Sequence, residues 1–211
     1  YHQHLPRVID HFVLSGQGQY LVMDFVEGRD LLEILQEAQR RGELLTEQQV
    51  LTWAAQMLDA LEYLHGQDPV VLHRDIKPSN VLVTLHDGEP VVKIIDFGVA
   101  KATGHSLTAQ TMFTRMGQVV GTPEYMSPEQ ARGESHLVDG RSDIYSLGIV
   151  LYEMLTGKPP YEGKTPIETV MMHVQDPLPP LKRSLRRYMP LLERMTAKKP
   201  TERFRNGAEL E

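Results

Sequence analysis

The sequence predicts an α+β fold in which a mostly helical body follows a short β hairpin. Three patterns carry this expectation. Ile144 to Leu155 holds nine apolar residues out of twelve, spread over all faces, which is the composition of a helix buried all round. Val50, Trp53, Ala54, Met57, Leu61 and Leu64 recur at three- and four-residue steps, the stripe of a helix with one face on a core. Two short apolar runs, Arg7 to Leu14 and Gln19 to Phe25, flank Ser15-Gly16-Gln17-Gly18 and read as paired strands around a turn.

Composition bounds the rest. A chain of 211 residues with 41% hydrophobic and 24% charged side chains can bury a core as one domain, or one and a fraction. Lys and Arg number 22 against 28 Asp and Glu, and the net charge of -6 comes with no long basic run, so nucleic acid is not expected as a partner. The absence of Cys removes disulfides, thiolate metal sites and cysteine nucleophiles. No apolar run reaches the ~18 residues of a membrane span, so no membrane contact is expected within this segment and a cytoplasmic location is inferred. The start at Tyr1, without an initiating Met or a helix cap, is expected to fall inside a domain.

After the hairpin, Leu31 to Arg41 is helical and closes at Gly42, and Thr46-Glu47-Gln48-Gln49 offers a capping-box start for the helix that should stop at His65-Gly66. Short strands are expected at Val70 to Leu72, Val81 to Thr84 and Val91 to Ile95, with Asp87-Gly88 turning the last two into a second hairpin. Residues 99 to 141 lack periodicity and read as a functional loop. The buried helix ends before Gly157 and Pro159-Pro160, and shorter helices are expected at 165 to 174, 188 to 196 and 206 to 210.

The chemistry concentrates in His73-Arg74-Asp75-Ile76-Lys77-Pro78-Ser79-Asn80, and in Asp96-Phe97-Gly98 beyond the second hairpin. Asn80 precedes the outgoing strand and Asp96 follows the returning one, so antiparallel pairing about 5 Å apart puts both at one end of the ribbon. Two hard oxygen ligands facing one point suit Mg2+, which completes its octahedron with water and phosphate oxygens. Asp75 and Lys77 lead to the same end, an anion to take a hydroxyl proton and a cation to neutralise a phosphoryl group.

These two motifs resemble the catalytic-loop and metal-binding motifs of the protein kinase family. Gly121-Thr122-Pro123-Glu124-Tyr125-Met126-Ser127-Pro128-Glu129 resembles the substrate-binding loop with its closing Ala-Pro-Glu, Ser127 standing in place of the Ala. Asp143 and Arg203-Phe204 resemble family anchor positions, and Glu129 is expected to pair with Arg203. Lys77 together with Thr122 resembles the Ser/Thr branch, and Ser127 to Gly133 is similar to the bacterial members. The resemblance implies a protein-kinase-like fold, with residues 1 to 26 a remnant of the N-terminal β lobe and 27 to 211 the C-terminal catalytic lobe. It also implies ATP and Mg2+ as cofactors, protein Ser/Thr hydroxyls as substrates and self-phosphorylation in trans. Asp75, Lys77 and Thr122 would form the catalytic set, and Asn80 and Asp96 the metal ligands. Met23, Asp24, Val26, Asp30 and Leu82 would line the nucleotide pocket beside Asn80 and Asp96. Arg74 resembles the Arg of kinases whose loop is ordered by phosphorylation, with Thr108, Thr111 and Thr114 as acceptors.

Blander readings stand beside these. Asp75 can be a solvated turn residue, Asn80 and Asp96 caps, Lys77 an exposed cation, and Asp30 a complement to a helix dipole. His73 reads as a packed structural ring beside Phe97, His2 and His4 as surface residues, and Trp53 and the Met residues at 57, 154, 171, 172 and 195 as core. The Gly-rich loop, strand Lys and helix Glu that kinases carry upstream have no counterpart in this sequence, so an N-terminal truncation is expected, with little activity from these residues alone. A non-catalytic kinase-like scaffold is one alternative, and a small-molecule phosphotransferase, which the 121 to 129 loop disfavours, is another.

Overall fold

The computed structural model describes residues 1–14, 18–96 and 122–209. Strands β1 (Val8–Leu14) and β2 (Gly18–Met23) form an antiparallel pair in which Phe12 faces Tyr20 and Val8 faces Met23. A second sheet has the order β3-β4-β5, built from Arg29–Asp30, Val81–His86 and Glu89–Ile94. Six α-helices are described: α1 (Leu31–Arg41), α2 (Glu47–His65), α3 (Pro128–Ala131), α4 (Gly140–Thr156), α5 (Pro166–Gln175) and α6 (Met189–Met195).

The start and stop signals act as expected for the long helices. Thr46 and Gln49 close a reciprocal capping box at the start of α2, and Gly42 ends α1 in the left-handed region at φ 68°. The expected stripe of α2 is its buried face: Val50, Trp53, Met57, Leu61 and Leu64 all lie in the core. Helix α4 starts earlier than its apolar run because Asp139 caps it through the Arg141 amide, and every residue from Ser142 to Leu155 is buried. Each large apolar side chain buried this way contributes roughly 1.5–3 kcal/mol, so the packing of α2 on α4 is a large contribution to the body's stability.

The second hairpin turns at Asp87 (φ 52°) and Gly88 (φ 84°), and two successive positive φ values match the right-handed twist of the flanking strands. Strand β3 went unread because two residues show no periodicity. Its cause is local: a Cβ on Gly28 would sit 2.6 Å from the Val83 carbonyl oxygen, so only glycine lets this segment approach β4.

Several expectations are corrected. Val70 to Leu72 is not a strand; Val71 donates to the Leu64 carbonyl, and Val70 is exposed. The expected 206 to 210 helix is a single 3-10 turn at Gly207–Glu209, and 188 to 196 divides into 3-10 turns at Arg183–Tyr188 followed by α6. His4 is buried, with Nδ1 bonded 2.9 Å from the Val92 carbonyl, and burial pulls its pKa down. Met171 faces solvent, whereas Met57, Met154 and Met195 are core. Phe97, Gly98 and the candidate acceptors Thr108, Thr111 and Thr114 lie outside the described residues.

Every residue of β1 is exposed, and the β1-β2 sheet has only two strands, which is marginal in water. Hydrogen exchange on residues 1–211 should therefore find the amides of β1 and β2 near the unfolded rate and those of α2 and α4 strongly protected. Equal protection of hairpin and helices in a monomeric sample would contradict this ranking.

Candidate active site

The loop between α2 and β4 is held from below by one side chain. Asp143, in the first turn of α4 and buried, accepts from the His73 amide at 2.9 Å and the Arg74 amide at 2.7 Å; its Oδ2 also meets His65 Nε2 at 2.8 Å. Arg74 sits at φ 64°, a left-handed conformation that costs a non-glycine residue roughly 1–2 kcal/mol. Hydrogen bonds to a charged acceptor contribute about 1.5–3 kcal/mol each, so the two amides on Asp143 outweigh that strain. The Arg74 carbonyl accepts from Gln130 Nε2 at 3.2 Å, which fixes the residue from the side of α3.

His73 is fully buried, as the structural reading expected. Its Nδ1 accepts from the Asp75 amide at 3.3 Å and its Nε2 lies 3.0 Å from the Ile95 carbonyl, so the ring is neutral with its proton on Nε2. The ring thereby ties the start of the loop to the residue preceding Asp96. A second tie is the Ile95 amide donating to the Asn80 carbonyl at 2.9 Å, one step beyond the Val81–Ile94 pair. These contacts bring Asn80 and Asp96 to the same end of the hairpin. Asp96 is exposed and stands at φ 56°.

Four of the sequence-selected residues form a connected chain. Asn80 Nδ2 donates to the Asp75 carbonyl at 2.8 Å and to Asp75 Oδ2 at 3.1 Å; Lys77 Nζ lies 3.0 Å from the same Oδ2 and donates to Thr122 Oγ1 at 3.0 Å. With both Nδ2 hydrogens directed at Asp75, Oδ1 is the acceptor end of the Asn80 amide. Hard cations take such oxygens together with a carboxylate, so Asn80 and Asp96 fit a Mg2+ ion that draws its other ligands from water and phosphate. Among the described residues no group of three His, Cys, Asp or Glu side chains is arranged to hold a metal by itself.

The remaining selected residues are placed less closely. Asp30 lies directly across from Leu82 in the β3-β4 pair, and its carboxylate accepts from the Glu33 amide at 2.8 Å as the cap of α1. Asp24 is engaged by the Arg7 guanidinium at 3.1 Å, Met23 is paired with Val8, and Val26 is half-buried. No hydrogen bond or ion pair joins Met23, Asp24 or Val26 to Asp75 or Asn80 among the described residues.

The segment after Thr122 is locked on α4. The Tyr125 hydroxyl donates to Glu153 at 2.6 Å, and burial raises the pKa of both groups. Ser127 caps α3 in a reciprocal box with Gln130, which gives the hydroxyl at this position a role that Ala could not fill. Glu129 and Arg203 are buried together, with Arg203 Nη1 and Nη2 at 2.6 and 2.7 Å from the two carboxylate oxygens. Burial pushes Glu129 up, but the Arg203 guanidinium and the Ser142 hydroxyl hold it below the usual carboxylate range. His65, Gln130 and the Tyr125–Glu153 pair were not read from the sequence, since each looks locally like a helix end or a buried polar exception.

The protein kinase domain family model matches residues 1–208. The chain belongs to the protein kinase domain family. The serine/threonine-protein kinase PknB of Mycobacterium leprae is 38% identical over 200 residues, covering 93% of this chain and 30% of the relative. The probable serine/threonine-protein kinase PknB of Corynebacterium glutamicum is 39% identical over 183 residues, covering 85% of this chain and 26% of the relative. The crystal structure of the M. tuberculosis PknI kinase domain superposes with a TM-score of 0.69 at 28% identity, over 99% of this chain and 69% of that one. The chain thus spans about 30% of the length of the curated relatives it matches. The mixed α+β architecture, with helices predominating, is the kinase fold.

Removing one partner of a buried pair costs about 3 to 5 kcal/mol, so Arg203→Ala should lower the melting temperature on the order of 10 °C. A melt within a degree of the parent would contradict it. The depressed Glu129 stabilises the fold fully above the unfolded carboxyl value of about 4.3 and loses this contribution as pH falls through its folded value. The stability gap between the parent and Glu129→Gln should therefore be widest at neutral pH and shrink below about pH 4.

Proposed function

We propose that residues 1–211 carry the catalytic-loop, metal-binding and substrate-loop part of a Ser/Thr protein kinase domain that transfers the γ-phosphoryl of ATP to protein hydroxyls. Residues 1–26 are assigned to the smaller β lobe and 27–211 to the catalytic lobe, with the N-terminal segment moored to the latter through Leu5 in its core. The observation that carries this reading is the chain Asn80–Asp75–Lys77–Thr122, which gathers an anion, a cation and a substrate-loop hydroxyl at one point.

The family generally uses ATP and Mg2+, and the bound nucleotide supplies the phosphoryl group. Asp75 takes the proton of the incoming hydroxyl, and its carboxylate is aimed by the Asn80 amide. Lys77, held between Asp75 and Thr122, offers positive charge where the phosphoryl oxygens develop negative charge. Asn80 Oδ1 and Asp96 would hold the cation, while Met23, Asp24, Val26, Asp30 and Leu82 would line the nucleotide side. The expected partners are protein substrates, including a second copy of the chain in trans. Among the described residues no helix is long and apolar enough to cross a membrane, and we place the enzyme in the cytoplasm.

In the full product of the gene, Asp75→Asn and Asp96→Asn should each lower turnover by at least ~100-fold, the scale of general-base and metal-ligand losses. Thr122→Ala should cost about 10-fold by removing one of the two contacts that hold Lys77, and Thr122→Ser should restore most of it. Near-parental phosphorylation of a protein substrate by either Asp variant, with folding verified by circular dichroism, would overturn the assignment.

A further inference from the structure

The chain is acidic overall, with a net charge of -6, yet no Asp or Glu occurs between Pro177 and Leu192. That stretch holds Lys182, Arg183, Arg186 and Arg187. Its apolar residues point inward: Leu181 is buried, and Leu185, Tyr188 and Met189 pack on the core. Lys182, Arg183 and Arg186 are therefore turned outward and exposed, and they form no ion pair among the described residues. Arg187 pairs with Glu47, which also accepts from the Tyr188 hydroxyl at 2.6 Å; these two partners hold Glu47 below the usual carboxylate range. Glu47 is thus already engaged, and it pins the turn to the start of α2.

Helix α2 runs from this turn to the loop region, since Glu47 opens it and His65, which contacts Asp143, closes it. At 1.5 Å per residue the two ends are about 27 Å apart, so the cationic turn lies well away from Asp75. An anionic ligand here would meet three exposed cations remote from the reacting groups.

We propose that the turn from Lys182 to Tyr188 is a docking surface for an acidic peptide segment of a partner protein. The range of the interaction selects the partner class. Exposed charges are screened beyond about 8 Å at physiological salt, so a short peptide senses only the local cations. An anionic bilayer or a duplex is extended and would also face the acidic remainder of the chain, and the stretch exposes no apolar wedge to insert between lipids. The readout is binding alone, so the proposal stands or falls separately from the assignment of Asp75.

The test is fluorescence anisotropy of a labelled glutamate-rich peptide with residues 1–211, with anionic phosphatidylserine vesicles as a second probe. The peptide should bind at low ionic strength and weaken as salt rises from about 50 to 200 mM. The variant K182E/R183E/R186E should lose at least ~10-fold in affinity, while K164E/K199E/R205E, with the same change in net charge at other exposed cations, should lose under ~3-fold. In the unsubstituted chain, amide chemical shifts should move around 181–188 and 44–47, a reading independent of how the variants fold. No binding, equal losses in the two variants, or vesicle binding in place of peptide binding would each overturn the proposal.

Discussion

One buried carboxylate organises this site. Asp143 offers two oxygens to three donors: the amides of His73 and Arg74 and the imidazole of His65. A charge this deeply buried would be costly alone, and here the desolvation is offset because each oxygen has a partner. Its position also carries information. Asp143 belongs to a helix buried from Ser142 to Leu155, so the loop that presents Asp75 is referenced to a close-packed element of the core. The left-handed backbone at Arg74 comes immediately after these two anchored amides, so it redirects the chain from a fixed point toward Asp75.

From this anchor the geometry propagates by short contacts. His73 passes the reference to Ile95 and hence to Asp96, Gln130 passes it to the Ser127–Glu129 segment, and Asn80 and Lys77 pass it through Asp75 to Thr122. The Glu129–Arg203 pair then fastens α3 to the last turns of the chain, so the substrate side of the site is tied to the same body at two places.

The sequence made much of this legible, and for identifiable reasons. Helices α2 and α4 were readable because apolar residues sustained over four or more turns fit a helix packed on a core and little else. The 87–88 turn was readable because two positive φ values favour Asp-Gly. Asn80 and Asp96 could be placed together because antiparallel pairing is geometric, and the Asn80–Ile95 bond extends that ladder. Strand β3 and helix α3 were missed because two to four residues carry no period, and Val70 to Leu72 misled because a short β-branched run suggests a strand whether or not it pairs with one. His4 reads as a surface residue in the sequence, whereas the Val92 carbonyl gives its ring a buried partner. Tertiary hydrogen bonds such as Gln130 to Arg74 leave no trace in local pattern, so no local reading could have found them.

The structure of an Asp143→Ala variant tests this account most directly. If the carboxylate imposes the loop geometry, Arg74 should leave the left-handed region and the Asp75–Asn80 and Lys77–Thr122 contacts should open. The Glu129–Arg203 pair should persist, because its partners do not depend on Asp143. An unchanged φ at Arg74 with Asp75, Lys77, Asn80 and Thr122 still in contact would show that the loop is shaped by something other than Asp143.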